Sequence, residues 1–175
     1  MTSRRGFGPR LSRETPPTIF TLVILAGIGA LNMNMLLPSL PSLASHFDAE
    51  YGVVALAVSA YLAVTAVIQL VLGPLSDRFG RRPVVLGSLA VFLAATVGCL
   101  FAPSITVFLF FRLMQATVAS GMVLSRAIVR DIVPASEAAS MIGYVTMGMS
   151  LMPMVAPILG GFLDETFGWQ AGFVA

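Results

Sequence analysis

Five runs of almost wholly apolar residues, at about 18–37, 53–72, 84–102, 105–124 and 138–163, leave this chain little choice of fold. A helix rises 1.5 Å per residue, so ~20 residues cross a hydrocarbon core ~30 Å thick, and each run has that reach. Inside lipid every backbone N–H and C=O must find its partner within its own segment, which predicts helices here. The alternating pattern of a barrel strand is absent. Only 10% of the 175 residues are charged and 57% are hydrophobic, against about a quarter charged in an ordinary soluble domain. The expected fold is therefore an all-α polytopic membrane protein with five complete transmembrane helices.

The connections between the runs carry arginine in strict alternation. Residues 1–17 hold four, 38–52 none, 76–82 three, 103–104 none, 126–137 two and 164–168 none. Loops rich in basic residues stay on the cytoplasmic side, so the N-terminus and the second and fourth connections are expected there. Asp48, Glu50, Asp164 and Glu165 fall in the outer connections. Residues 1–17 read as a flexible cytoplasmic tail and 18–175 as a helix bundle. The segment SRRGF at residues 3–7 is similar to the start of a twin-arginine export signal, but a span-length run and four more follow it. GWQAGFVA at 168–175 resumes an apolar run, with Trp169 as an interfacial anchor at the start of a sixth helix. The bundle is thus expected to be incomplete and the chain to be a fragment or a truncated product.

The ten basic residues are all arginine, and their dispersal over separate connections argues against a nucleic-acid surface. The single cysteine, Cys99, lies within the third run, excludes an internal disulfide, and reads as a small buried apolar residue. No metal-ligand set and no grouping of nucleophile, base and orienting residue is apparent, so neither a cofactor nor an enzyme is expected.

Between the second and third runs stands GPLSDRFGRRP, with Gly73, Asp77, Arg78, Gly80, Arg81 and Arg82 in the order G-x-x-x-D-R-x-G-R-R. Membrane-side anchoring explains the arginines alone. It does not explain an acid at the end of a span with glycines four residues before and three after. This decapeptide resembles the cytoplasmic loop motif between the second and third spans of the major facilitator superfamily of transporters. The resemblance implies that the glycines permit a tight turn and that Asp77 pairs with an arginine or a helix N-terminus, holding one transport state closed.

Arg112 lies about eight residues into the fourth run, where a cation facing lipid costs several kcal/mol, so it must face protein or water. Gln115, three residues on, shares its helix face. R-x-x-Q is similar to the fourth-span motif of the superfamily's drug/proton antiporters. SRAIVRD at 125–131 resembles the end of that span in the bicyclomycin-resistance (Bcr/CflA) branch, which implies that Arg126, Arg130 and Asp131 lie near the GPLSDRFGRR segment. Arg130 and Asp131 are the expected inner-face charge pair, with Asp131 reaching one of the loop arginines.

In the fifth run Gly148, Pro153, Pro157, Gly160 and Gly161 punctuate what would otherwise be a plain helix, bending it and admitting a neighbouring backbone. Its A-P-x-x-G-G ending resembles the antiporter packing motif. Five methionines in the same run suit either a pliable pocket or simple lipid-facing packing. In the first run LNMNMLLPSLP places Asn34 where related transporters often carry an aspartate before the proline. Asn does not titrate, and no acid lies deep in any of the five runs. Arg112, Gln115, Asn34 and Tyr61 are the candidate cavity residues. His46 reads as a solvated loop residue.

The resemblance as a whole implies the N-terminal half of a Bcr/CflA-type multidrug transporter in the bacterial inner membrane. Such a protein exports small apolar antibiotics in exchange for protons, with a C-terminal half bundle as the partner against which this one rocks. An inactive remnant and a small membrane accessory or binding protein remain the competing readings of the residues.

Overall fold

The structure, a computed structural model, describes residues 17–174. All of the tail expected over 1–17 except Pro17, including SRRGF, lies outside the described residues. Among the described residues the regular elements are all helical, and five stretches are long and apolar enough to span a membrane: Ile19–His46, Tyr51–Phe79, Arg81–Leu100, Ile105–Ile132 and Ala135–Phe167.

Each stretch begins or breaks where local chemistry dictates. The first comprises α1 (Ile19–Leu36), one 3-10 turn at Leu37–Ser39, and α2 (Leu40–His46). Thr18 caps α1 by accepting the Thr21 amide at 3.3 Å. Pro38 and Pro41, which lack N–H donors, fall in the turn and at the start of α2. The second stretch is α3 (Tyr51–Phe79) and the third is α4 (Arg81–Leu100). The fourth joins α5 (Ile105–Gln115), capped by the Ser104 hydroxyl, through a 3-10 turn at Ala116–Ala119 to α6 (Ser120–Ile132). The fifth is broken at Leu151 into α7 (Ala135–Ser150) and α8 (Met152–Phe167), with Pro153 in the first turn of α8 and Pro157 inside it. A short α9 (Ala171–Val174) follows Gly168, whose φ of 83° turns the chain away from α8.

The helices run past the apolar runs that announce them. Residues 73–79, expected in a loop, complete the last turns of α3, and Gly80 alone separates α3 from α4. Its φ of 95° is accessible to glycine at little cost, and its N–H still bonds the Ser76 carbonyl at 3.0 Å. His46, expected in a solvated loop, ends α2 instead, exposed but with its ring 5.3 Å from that of Trp169.

The fourth stretch is the centre of the bundle, with half of its most apolar window buried against 11 to 28% in the other four. It packs on α1, α3 and α4. Two glycines set the closest approaches. A Cβ on Gly121 of α6 would fall on the Leu25 carbonyl oxygen of α1, and one on Gly160 of α8 would fall on that of Met35. Backbone meets backbone at both places, as small residues allow where no hydrophobic force drives helices together in lipid. Gly148 likewise meets the Val23 side chain, and Gly161 lies beside Pro38. The first and fifth spans are thereby packed along most of their shared length, while Met147 and Met154 point outward, 63% and 69% exposed.

The ends of the bundle differ in charge. Arg78, Arg81, Arg82, Arg126 and Arg130 gather at one, hereafter the basic end. At the acidic end Ser42 donates to Asp164 Oδ2 at 2.6 Å, and the rings of Phe47, Phe108, Trp169 and Phe173 pack edge to face or tilted, with Trp169 to Phe108 at 5.7 Å and 90°.

Gly160→Ala is expected to lower the thermal midpoint in detergent, with an overpacking cost of about 1–3 kcal/mol. Gly143→Ala, where an added Cβ meets no atom within 4 Å, is expected to leave the midpoint nearly unchanged.

Candidate functional site

Arg112 is fully buried, on the face of α5 that turns toward α1 and α3. Its Nη1 donates to Gln115 Oε1 at 2.7 Å and to Asn32 Oδ1 at 2.8 Å. Its Nε reaches the Ala57 carbonyl and its Nη2 the Asn32 carbonyl, both at 3.4 Å. The guanidinium lies over the Tyr61 ring, 4.5 Å from the centroid, a contact worth up to ~2 kcal/mol when water is excluded. Gln115 is fully buried as well, and its Nε2 donates to Thr96 Oγ1 at 2.7 Å, which in turn donates to the Phe92 carbonyl at 2.8 Å. One hydrogen-bonded chain thus ties the first, second, third and fourth spans together around a single cation.

An isolated buried cation costs several kcal/mol, and hydrogen bonds to a charged group return ~1.5–3 kcal/mol each. The packing around Arg112 meets that cost with neutral acceptors and a ring face. Among the described residues no carboxylate oxygen lies within 4 Å of the guanidinium; both ion pairs found belong to Arg81.

Of the four candidate cavity residues, Arg112, Gln115 and Tyr61 come together. Asn34 does not join them. Its Nδ2 donates to the Ala30 carbonyl of its own helix at 2.7 Å, and Asn32 takes the place at Arg112. Two residues on a helix stand ~200° apart, so only one of the pair faces the fourth span. Thr96 was also missed, since a lone threonine in an apolar run carries no signal of its own.

At the basic end the hub is Arg81. Its Nη1 lies 2.6 Å from Asp77 Oδ1 and also donates to the Ser76 hydroxyl, and its Nε donates to Asp131 Oδ2 at 3.1 Å. Asp131 therefore has Arg81 as its partner rather than the adjacent Arg130, which is exposed. Arg78 lies 5.4 Å over the Phe79 ring, and Arg82 is exposed. Gly73 has open space where a Cβ would stand. The pairs are part-solvated, with the Asp77 and Asp131 side chains 64% and 48% exposed. They are worth ~0–1 kcal/mol each and fix register more than they add stability. A groove of about 340 Å³ lies at this end beside Ile19, Glu137 and Tyr144.

The family profile of the major facilitator superfamily matches residues 22–175. The chain belongs to that superfamily. It is 31% identical over 157 residues to multidrug resistance protein D of Escherichia coli, covering 89% of this chain and 40% of that protein. It is 36% identical over 148 residues to a chloramphenicol resistance protein of Pseudomonas aeruginosa, covering 83% and 35%. It is 34% identical over 157 residues to multidrug resistance protein MdtL of Escherichia coli, covering 89% and 39%. The chain spans between a third and two fifths of the length of these relatives. Five span-length helices in a major facilitator chain make this a multi-pass membrane protein of a transporter family.

Arg81→Asp is expected to lower the folded yield in membranes, because it sets three acids together. Combining it with Asp131→Arg is expected to restore most of the loss, read as detergent-extracted monodisperse protein. A double variant no better than the worse single one would remove the pair from the account.

Proposed function

We propose that this chain forms the N-terminal bundle of a drug/proton antiporter of the Bcr/CflA type, exporting small apolar antibiotics across the bacterial inner membrane. The buried Arg112 cluster carries the proposal. A cation buried inside the bundle, at the centre of a hydrogen-bonded chain that links four spans, in a chain whose relatives are named for multidrug and chloramphenicol resistance, suits a cavity at the interface with a second bundle. Arg112, Gln115 and Tyr61 would form its wall with Asn32. The Arg81 hub would fasten the basic end in one of the two transport states, and the Gly148, Gly160 and Gly161 contacts would keep the first and fifth spans from parting during rocking. With asparagine at position 34 and no acid deep in the five spans, proton exchange would draw on acids outside them.

The test is a chimera in which residues 18–175 replace the matching part of multidrug resistance protein D, expressed in a drug-hypersensitive bacterium. Accumulation of ethidium is expected to fall at least threefold against empty vector, and Arg112→Ala in the chimera is expected to abolish the fall. A chimera that inserts stably and leaves accumulation unchanged would sink the efflux reading.

The alternation of arginine supports a cytoplasmic basic end. Cys99 is fully buried, so cysteines introduced at the exposed positions Ser136 and Glu165 report separately. In intact cells a membrane-impermeant maleimide is expected to label Glu165→Cys, and to label Ser136→Cys only after permeabilisation. The reverse pattern would overturn the orientation.

A further inference from the structure

The groups around Arg112 have spent their acceptors and kept their donors. Of the five N–H bonds of a guanidinium, four are engaged by Asn32 Oδ1, Gln115 Oε1, the Ala57 carbonyl and the Asn32 carbonyl. One on Nη2 is left. Gln115 gives one N–H of its Nε2 to Thr96 and keeps the other. Asn32 differs: with its Oδ1 turned to Arg112, its Nδ2 points away, buried and without a partner.

Asn32 borders a small cavity of about 10 Å³, shared with Met35, Leu36, Ser39, Trp169 and Phe173, roughly the room of one water-sized group. Asn32, with its unused N–H donor, is one wall of this space; Ser39 and apolar residues make the others, and the Arg112 guanidinium stands behind Asn32 with no carboxylate within 4 Å among the described residues. An ammonium group would set donor against donor and cation against cation. A neutral carbonyl would satisfy the donor and leave the charge. A compact anion answers both.

We propose that Asn32 Nδ2, backed by the charge of Arg112, is the recognition point for a compact monoanionic head, either the carboxylate of a small apolar acid or a halide. This assignment goes beyond drug efflux and needs no transport step, so the binding experiment stands whether or not the chimera exports ethidium.

Trp169 is the sole tryptophan of the chain and lines the same cavity, so its emission reports occupancy. The 175-residue chain in uncharged detergent and sulfate buffer of constant ionic strength is titrated separately with chloride, benzoate, benzamide and benzylammonium. Chloride or benzoate is expected to give a saturable change with half-saturation at least tenfold below that of benzamide, and benzylammonium none. A chloride response identifies an inorganic-anion site; a benzoate response without one identifies a carboxylate site. Equal responses to benzoate and benzamide, or no saturable response to either anion, would overturn the proposal. Asn32→Asp gives Arg112 an internal counter-charge, and is expected to remove the anion response and raise the thermal midpoint. Retention of the wild-type response in a folded Asn32→Asp variant would also overturn it.

Discussion

Everything in the middle of this bundle is arranged so that one cation can exist out of water. Among the described residues Arg112 has no acid within 4 Å, and the protein gathers carbonyls, two amide side chains and a phenol ring from several helices, which fix how the helices meet. In lipid the ordinary hydrophobic force between helices is missing. A buried charge then becomes an organising centre, because leaving any of its donors bare costs more there than in a soluble core. The contact at Gly121 completes the arrangement by letting the first and fourth spans come close together, and Gly160 does the same for the first and fifth.

The spans themselves were legible, since apolar run length is nearly the whole of the signal in a membrane chain. Their ends were not. An apolar count stops where charge begins, whereas a helix continues as long as its backbone groups can bond along it. Hence α3 runs on through Pro74, Ser76 and Asp77 to Phe79, and α2 to His46. The single glycine that turns the chain at position 80 was visible as a glycine, but the brevity of the turn was not.

In the candidate site the residue types were readable and the partners were not. Arg112 and Gln115 announce themselves as polar groups three residues apart in an apolar run. Asn32 and Asn34 are indistinguishable in composition, and helical phase alone decides which one faces the fourth span. That Asp131 would meet an arginine of the segment between the second and third spans is what the family resemblance implied, and the choice of Arg81 over its neighbours depends on where Gly80 releases the chain. The aromatic packing around Trp169 gave no warning, being assembled from ordinary rings far apart in sequence.

The turn at Gly80 has a mechanical consequence. With one non-helical residue between them, α3 and α4 have no slack with which to slide past each other along their length. Any sliding would have to be absorbed at Gly80 itself, whereas the two helices can open about their closed end by a change in its φ and ψ alone. Arg81 sits at that closed end and bonds both Asp77 and Asp131, so the two arms and the end of the fourth span share one side chain there.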